Sequence, residues 1–179
     1  MKLRLLEYLA CPSCDGSILL GPSPEREGAE VMQGELLCAG CDRRYPVRGG
    51  IPRFVELDRI ERDKAATADN FGWQWQHFTQ EDRRYTEQFL GWLTPVQPEY
   101  FADKLVLEGG CGKGRHTVLA AQWGARDVIG VDLSVAVEIA YAATRHLDNV
   151  HIIQADIYQL PIRAVFDYAF SVGVLHHLP

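Results

Sequence analysis

The sequence predicts a protein of the α/β class, in which the first four strands of a parallel sheet follow a small β-rich metal-binding domain. Two patterns carry this prediction. After residue 99, apolar runs alternate with helix-like segments, as in parallel strands joined by crossover helices. Before residue 42, two CxxC pairs have a spacing typical of a zinc site.

The composition indicates a globular protein, because 47% of the residues are hydrophobic and 23% are charged. Changes in composition along the chain divide it into three parts. A metal-binding domain is predicted at residues 1–56, a helical linker or lid at residues 57–98, and the beginning of the parallel-sheet domain at residues 99–179.

The secondary-structure elements follow from hydrophobic periodicity. A short amphipathic helix is predicted at Leu3–Leu9, ahead of the first CxxC pair, and Ser134 is expected to cap a helix in the sheet domain. The predicted strands of that domain are 104–107, 127–131, 150–154 and 166–171, and its predicted helices are 115–123 and 134–146.

The four cysteines of the N-terminal domain are Cys11 and Cys14 in one pair and Cys38 and Cys41 in the other. Two thiolates on a tight turn can both reach one ion at about 2.3 Å, and two such turns complete a tetrahedron. Because four cysteines close the coordination shell, the predicted zinc is structural. Disulfides and a redox CxxC are the alternatives, and both lack the context that they need, a secretory signal or an adjacent βαβ unit.

A glycine-rich turn follows the first predicted strand of the sheet domain, within residues 105–115. Glu108 precedes Gly110, Gly112 and Gly114, which lie at every second position. Glycine accepts a positive φ and lets the backbone approach a ligand closely. A dinucleotide fingerprint needs its third glycine three residues after the second, where this sequence has Arg115. The spacing therefore indicates a different nucleoside ligand.

Acidic residues end the next two predicted strands. Asp132 follows the apolar run 128–131, and Asp156 follows the run 150–155. In open α/β sheets ligands bind beyond the carboxyl ends of the strands, where an acidic side chain can accept hydrogen bonds from ribose hydroxyls. Glu108, Asp132 and Asp156 are therefore predicted to meet at one site.

These residues resemble the class I methyltransferases that use S-adenosylmethionine, over about residues 100–179. The resemblance implies a Rossmann-like fold in which the glycine turn packs under the methionine end of the cofactor. It also implies that Asp132 holds the ribose, that Asp156 faces the adenine amino group, and that the backbone of Ile157 meets the adenine ring. The implied cofactor-binding residues are Glu108, Gly110, Cys111, Gly112, Gly114, Asp132, Leu133, Asp156, Ile157 and Val172.

Other interpretations of this site stay open. A nicotinamide-dependent enzyme is the main rival, although the glycine spacing counts against it. The carboxylates could be solvated strand-end groups, and Asp156 could only cap a turn. Cys111 is interpreted as a small buried thiol that fills space. His176 and His177, after the fourth strand, are the candidate catalytic bases, with a structural role as the alternative.

The segment 45–54, after the second CxxC pair, is similar to small zinc-ribbon proteins that act as activating subunits of several methyltransferases. A zinc ribbon fused to the enzyme is therefore expected. Between the domains, an aromatic-rich segment has one apolar helical face that is interpreted as packing on the sheet domain. In methyltransferases of this class the helices before the first strand form a lid. The residues concerned are Phe71, Trp75 and Phe78 on the apolar face, and Trp73, Gln74 and His77 as candidate lid residues.

The predicted function is methyl transfer from S-adenosylmethionine to a small-molecule acceptor. The alternatives are an rRNA or tRNA methyltransferase that uses the zinc ribbon for RNA, and a non-catalytic zinc-ribbon interaction protein. A net charge of −6, most of it after residue 60, disfavours a nucleic-acid partner. Against this, Arg43, Arg44, Arg48 and Arg53 cluster after the second CxxC pair.

A cytoplasmic location without membrane contact is predicted. The sequence contains no apolar run of 18 or more residues, and Glu7 interrupts an N-terminal apolar stretch too short for export. Because the family continues through further strands, the chain is expected to be a fragment of a longer enzyme. The sequence carries no signal for the oligomeric state.

Overall fold

The computed structural model describes residues 1–55 and 84–177. The predicted linker is therefore described only from residue 84, and the six lid and aromatic candidates within positions 71–78 lie outside the described residues. Across the described ranges, every helix is too short or too polar to cross a membrane.

The N-terminal domain is an antiparallel sheet of five strands, entered through a 3₁₀ turn at Leu3–Glu7 where a helix was predicted. The strands are β1 (Ile18–Leu20), β2 (Glu25–Glu27), β3 (Glu30–Cys38), β4 (Arg44–Arg48) and β5 (Ile51–Pro52). The long strand β3 pairs with β1, β2 and β4, and β5 pairs with β4. Along β4, Tyr45 and Val47 are buried while Arg44 and Arg48 are exposed, because successive side chains point to opposite faces.

The second domain is a parallel sheet flanked by helices, as predicted. Its elements are α1 (Arg84–Leu93), a 3₁₀ turn (Pro98–Phe101), β6 (Leu105–Gly109), α2 (Arg115–Gln122), β7 (Asp127–Asp132), α3 (Ala136–Thr144), β8 (Val150–Gln154), a 3₁₀ turn (Ile157–Gln159), β9 (Tyr168–Phe170) and a 3₁₀ turn (Leu175–His177). The strand order is β8-β7-β6-β9, and all three pairs are parallel. The carboxyl ends of these strands therefore share one edge.

Several boundaries differ from the predicted ones. Strand β6 continues through Glu108 and Gly109, because these residues stay in register with Gly130 and Val131 of β7. Helix α3 begins at Ala136 and not at Ser134. The Ser134 hydroxyl nevertheless accepts a hydrogen bond from Ala136 N at 3.2 Å, so the predicted capping side chain bonds to the helix from two residues before it.

The parallel sheet is covered by different partners on its two faces. On one face, Leu107, Ile129 and Ile153 share a core with Leu5 and Leu9 of the ribbon. The alternate residues of the same strands point to the other face, where they pack against the helices. That second core includes Val106, Val128, Ile152, Phe89, Ala120 and Val137. The N-terminal domain thus occupies the face that helices cover in a doubly wound sheet.

The N-terminal domain also pairs with the edge strand β8. Arg53 and Gln154 form a parallel bridge, and Phe54 N donates a hydrogen bond to Gln154 O at 2.8 Å. An unpaired strand edge exposes backbone donors and acceptors. This pairing satisfies part of the β8 edge and joins the two domains through the backbone.

Candidate functional site

The four cysteines of the CxxC pairs come together in the structure. Their Sγ atoms all lie within 4.8 Å of one another, with Cys11 and Cys41 3.8 Å apart and Cys14 and Cys38 3.4 Å apart. A tetrahedron of sulfur atoms about 2.3 Å from zinc has sulfur–sulfur separations of about 3.8 Å. The donor set and its spacing therefore fit one structural zinc, which the four thiolates would hold.

The backbone around the cysteines is shaped for this cluster. Gly40 N donates to Cys38 Sγ at 3.3 Å. A Cβ atom at Gly16 would lie 2.9 Å from the same sulfur, so a side chain there would displace a ligand. The local sequence thus places glycine where the two turns approach each other.

The glycine turn and Asp132 form one hydrogen-bonded unit at the carboxyl edge of the sheet. Gly112 N donates to Asp132 Oδ2 at 2.8 Å. The other carboxylate oxygen, Oδ1, accepts from Ser134 N at 2.8 Å and from Ser134 Oγ at 2.7 Å. The carboxylate is held between the two loops that the sequence predicts to surround a nucleoside.

Gly110 shows why the turn needs glycine. Its φ is +76°, and an added Cβ would lie 2.3 Å from a methyl group of Val174. Gly110 N and Cys111 N both donate to Val131 O, at 2.7 and 2.9 Å, which anchors the turn on the end of β7. A side chain at Gly110 would strain the backbone and push away the loop that follows β9.

Glu108 is buried, with 1% of its surface exposed, and two side chains of α2 form hydrogen bonds with its carboxylate. His116 Nδ1 lies 3.2 Å from Oε1, and the Thr117 hydroxyl donates a short hydrogen bond to Oε2. Burial raises the pKa of Glu108, while the bonds from His116 and Thr117 oppose that effect. The side chain therefore fixes the start of α2 against the end of β6.

Helix α1 lies over the first turn of α2. The Phe89 ring stacks on the His116 ring with centroids 4.3 Å apart, and the Arg115 guanidinium lies 3.7 Å from the centre of the Tyr85 ring. Sequence reasoning missed His116 and Thr117 as partners of Glu108. It also missed the packing of α1 on α2, for which the helical spacing of Tyr85 and Phe89 was the available signal.

The remaining predicted residues occupy several positions around the same edge. Asp156 Oδ1 accepts from Tyr158 N at 2.9 Å, which is the turn-capping bond of the alternative interpretation. Cys111 is buried, and burial raises the pKa of its thiol well above the ordinary value, so the group stays protonated.

His176, a candidate catalytic base, is exposed, and the side chain of His177 lies outside the described part of the chain. Leu133 O accepts from Gln154, while Ile157 and Val172 are partly buried.

Comparison with protein families identifies both domains. Residues 106–179 match a family described as a methyltransferase domain, and residues 2–50 match the Trm112p-like proteins. The chain joins a class I methyltransferase domain to a Trm112p-like zinc ribbon. The family predicted from the glycine turn and the cysteines is thereby confirmed. This result favours a methyltransferase over a nicotinamide-dependent enzyme and over a non-catalytic interaction protein.

Several relatives are named as tRNA-modifying enzymes. The chain is 35% identical over 95 residues to a tRNA U34 carboxymethyltransferase of Psychromonas ingrahamii, covering 51% of this chain and 27% of the relative. It is 39% identical over 95 residues to that of Vibrio cholerae, covering 51% and 28%. The chain thus spans about a quarter of the length of these relatives.

A solved Trypanosoma brucei PRMT1 enzyme–prozyme complex with AdoHcy is 35% identical, with a TM-score of 0.39 over 41% of this chain and 24% of that one. That likeness is too weak to support an argument about structure.

The names of the relatives correct one prediction. The acidic net charge disfavoured a nucleic-acid partner and favoured a small-molecule acceptor, whereas the relatives are named for their action on tRNA. The prediction was wrong because net charge sums over the whole surface, while RNA binding requires only a local basic surface.

Proposed function

We propose that the protein is an S-adenosylmethionine-dependent transferase that alkylates tRNA. The hydrogen-bonded unit of Gly112 and Asp132 at the carboxyl edge of the sheet carries the donor half of this proposal. The identity of 35–39% to tRNA U34 carboxymethyltransferases supports the acceptor half. The transferred group is the methyl group of S-adenosylmethionine. Transfer of a carboxymethyl group, as in the names of those relatives, would require a related donor whose sulfonium carries a carboxymethyl group in place of the methyl group.

The residues of the glycine turn bind and orient the donor. Gly110, Gly112 and Gly114 let the backbone approach it, and Asp132 accepts hydrogen bonds from its ribose hydroxyls. Asp156 and the backbone of Ile157 contact the adenine. When bound, S-adenosylmethionine supplies a carbon group already activated by the sulfonium. The work of the protein is then alignment, which can contribute about 7–11 kcal/mol.

The outward face of β4 contributes to tRNA binding. Arg44 and Arg48 are exposed on that face, and Arg43 is exposed just before it. Arg44 also pairs with Glu35 at 3.1 Å, so part of its charge is already balanced within the ribbon. Arginine pairs well with phosphate because its planar fork donates two parallel hydrogen bonds.

Donor binding tests the first half of the proposal. Calorimetry with S-adenosylhomocysteine should show binding by the full-length protein. The Asp132→Asn variant should bind at least about tenfold more weakly, since hydrogen bonds to charged groups contribute roughly 1.5–3 kcal/mol each. Asp148 is exposed in the loop before β8, so Asp148→Asn is the matched control and should bind like the wild type. Equal affinity in all three proteins would contradict the proposed role of Asp132.

The acceptor half is tested with tRNA. Incubation with tRNA and donor, followed by mass spectrometry of the nucleosides, should detect one added alkyl group and identify it by its mass. In gel shifts, Arg44→Glu/Arg48→Glu should weaken tRNA binding and lower the salt dependence by about one unit of log–log slope per lost phosphate contact. Arg126 is exposed just before β7, at the amino ends of the parallel strands, so Arg126→Glu is the control. Transfer to small molecules but not to tRNA would refute this half.

A further inference from the structure

One ribbon side chain is linked through Gln154 to the loop that follows Asp132. Arg53 Nη1 donates to Gln154 Oε1 at 2.6 Å. Gln154 ends β8 and is only 1% exposed, and its Nε2 donates to Leu133 O at 3.0 Å and to Ser134 O at 3.4 Å. A single buried amide therefore connects the zinc ribbon to the backbone that follows Asp132.

Arg53 and the two backbone carbonyls require the same orientation of this amide. A guanidinium can only donate hydrogen bonds, so it requires the amide oxygen of Gln154. The amide nitrogen must then face the carbonyl groups of Leu133 and Ser134. Without the guanidinium, the buried amide oxygen of Gln154 would lose its donor, which is costly for a buried polar group and favours a shift of the side chain toward another donor. Such a shift would weaken the hydrogen bonds by which Nε2 holds the Leu133 and Ser134 carbonyl groups.

The loop held by Gln154 in turn holds Asp132. Ser134 N and Oγ both donate to Asp132 Oδ1, at 2.8 and 2.7 Å. A shift of the Leu133 and Ser134 backbone would therefore move the carboxylate that is proposed to accept the ribose hydroxyls. Backbone pairing between Phe54 and Gln154 keeps Arg53 beside β8.

We propose that Arg53 of the zinc ribbon is a positioning residue for the ribose site, acting through the Gln154 amide on the Asp132 loop. This inference rests on the proposed function, because it requires a donor whose ribose binds at Asp132. It gives the ribbon a part in donor binding that is separate from holding the fold together.

The test measures affinity for S-adenosylhomocysteine and for its 2′-deoxyribose analogue by calorimetry, using the full-length protein. Arg53→Ala should weaken binding of S-adenosylhomocysteine about five- to tenfold, within the usual range of coupling between sites. The same change should weaken the deoxy analogue less, because part of the lost interaction is already missing. The wild type should therefore discriminate between the two ligands more strongly than Arg53→Ala does.

Three further variants separate positioning from general destabilisation. Arg53→Lys keeps a group that only donates and should restore most of the discrimination. Glu138 is largely exposed and accepts a bond from Arg53 Nη2 at 3.1 Å, so Glu138→Ala removes an ion pair of the same arginine and should leave both affinities within about twofold of wild type. Gln154→Met removes the amide, keeps Arg53 and should lose discrimination like Arg53→Ala.

The outcomes distinguish this inference from the proposed function. Equal weakening of both ligands by Arg53→Ala, or wild-type affinity in that variant, would overturn the positioning role while leaving donor binding intact. A loss in Glu138→Ala as large as in Arg53→Ala would overturn it as well. A wild-type protein that binds neither ligand would overturn both the proposed function and this inference.

Discussion

Two of the polar contacts between the zinc ribbon and the parallel sheet differ in position and chemistry. At the amino end of β7, Asp127 is fully buried and accepts from Tyr8 Oη at 2.6 Å, from Arg4 Nη2 at 2.8 Å and from His151 Nε2 at 3.0 Å. At the carboxyl edge of β8, Arg53 contacts Gln154. The first contact lies at the strand ends opposite the candidate site, and the second lies beside it.

This difference separates a contact that stabilises the protein from one that we propose to act in donor binding. Burial alone would raise the pKa of Asp127, but the hydrogen bonds from His151 and Tyr8 and the charge of Arg4 outweigh it, so the pKa lies below its ordinary value. A buried carboxylate with this many donors favours the docked arrangement of the domains. The Arg53 side chain is also largely buried, but its contact leads through Gln154 to the loop that follows Asp132. Under the proposed function, the ribbon therefore serves stability at one end and donor binding at the other.

Loss of the metal would break both contacts at once and should have the largest effect. Structural zinc contributes about 10–16 kcal/mol to the folding of small zinc domains. Because Leu5 and Leu9 of the ribbon share a core with the sheet, we expect Cys38→Ser or a strong chelator to unfold the ribbon and to uncover one sheet face. Metal analysis should find about one zinc per chain in the wild type and a loss of zinc together with ribbon structure in the variant.

Cys111→Ala provides the matched control for that experiment. Cys111 is a buried thiol of the glycine turn and not a predicted ligand, so the variant should keep its zinc and its ribbon. Circular dichroism and hydrogen exchange distinguish the two cases. A folded ribbon without zinc would contradict the structural role of the metal.

Removal of the buried carboxylate should break the first contact and spare the second. Asp127→Ala leaves the ring of His151 and the hydroxyl of Tyr8 without their acceptor. Leaving a buried donor without its acceptor typically costs about 1–3 kcal/mol for each group. Chemical denaturation should detect a loss of that size, with Asp148→Ala near the wild type. Below the unfolding transition, affinity for S-adenosylhomocysteine should be unchanged, and a large loss of affinity would mean that the two contacts are not separable.

The sequence carries local signals for the site but not for the contacts between the domains. The glycine turn, Asp132 and the cysteine pairs were predictable because each follows from spacing within a short segment. Arg53 and Gln154 are 101 residues apart in the chain, and their hydrogen bond depends on how the ribbon docks. The position of Gln154 at the end of an apolar run was the only sequence signal that this polar side chain is buried.

The role of Glu108 illustrates the same limit. Its position before the glycine turn was recognised, but its partners His116 and Thr117 lie on the next helix. Which way a strand-end carboxylate turns depends on the donors that packing brings near it. The sequence therefore predicts that such a residue belongs to the site more readily than it predicts what the residue touches.

The smallest expected effect is a pH dependence confined to the first contact. Burial lowers the pKa of His151, against the opposing pull of Asp127, with Lys2 and Arg4 adding to the lowering. Its Nδ1 is buried without a partner among residues 1–55 and 84–177, so a proton there would place an unpartnered charged donor in the core. As the pH falls below about 6.5, the unfolded chain takes up this proton before the folded one does. The free energy of unfolding should therefore decrease from pH 7 to pH 5.

Substitution of this histidine should remove that pH dependence. In His151→Gln the slope between pH 7 and pH 5 should flatten, because glutamine keeps a donor for Asp127 and does not titrate. The exposed His146 offers the matched variant His146→Gln, which should keep the wild-type slope. The contribution of Asp127 has the same sign but is lost only near pH 4 and below, since its folded pKa is depressed. An unchanged slope in His151→Gln would place the titrating group elsewhere and would weaken the assignment of stability to this contact.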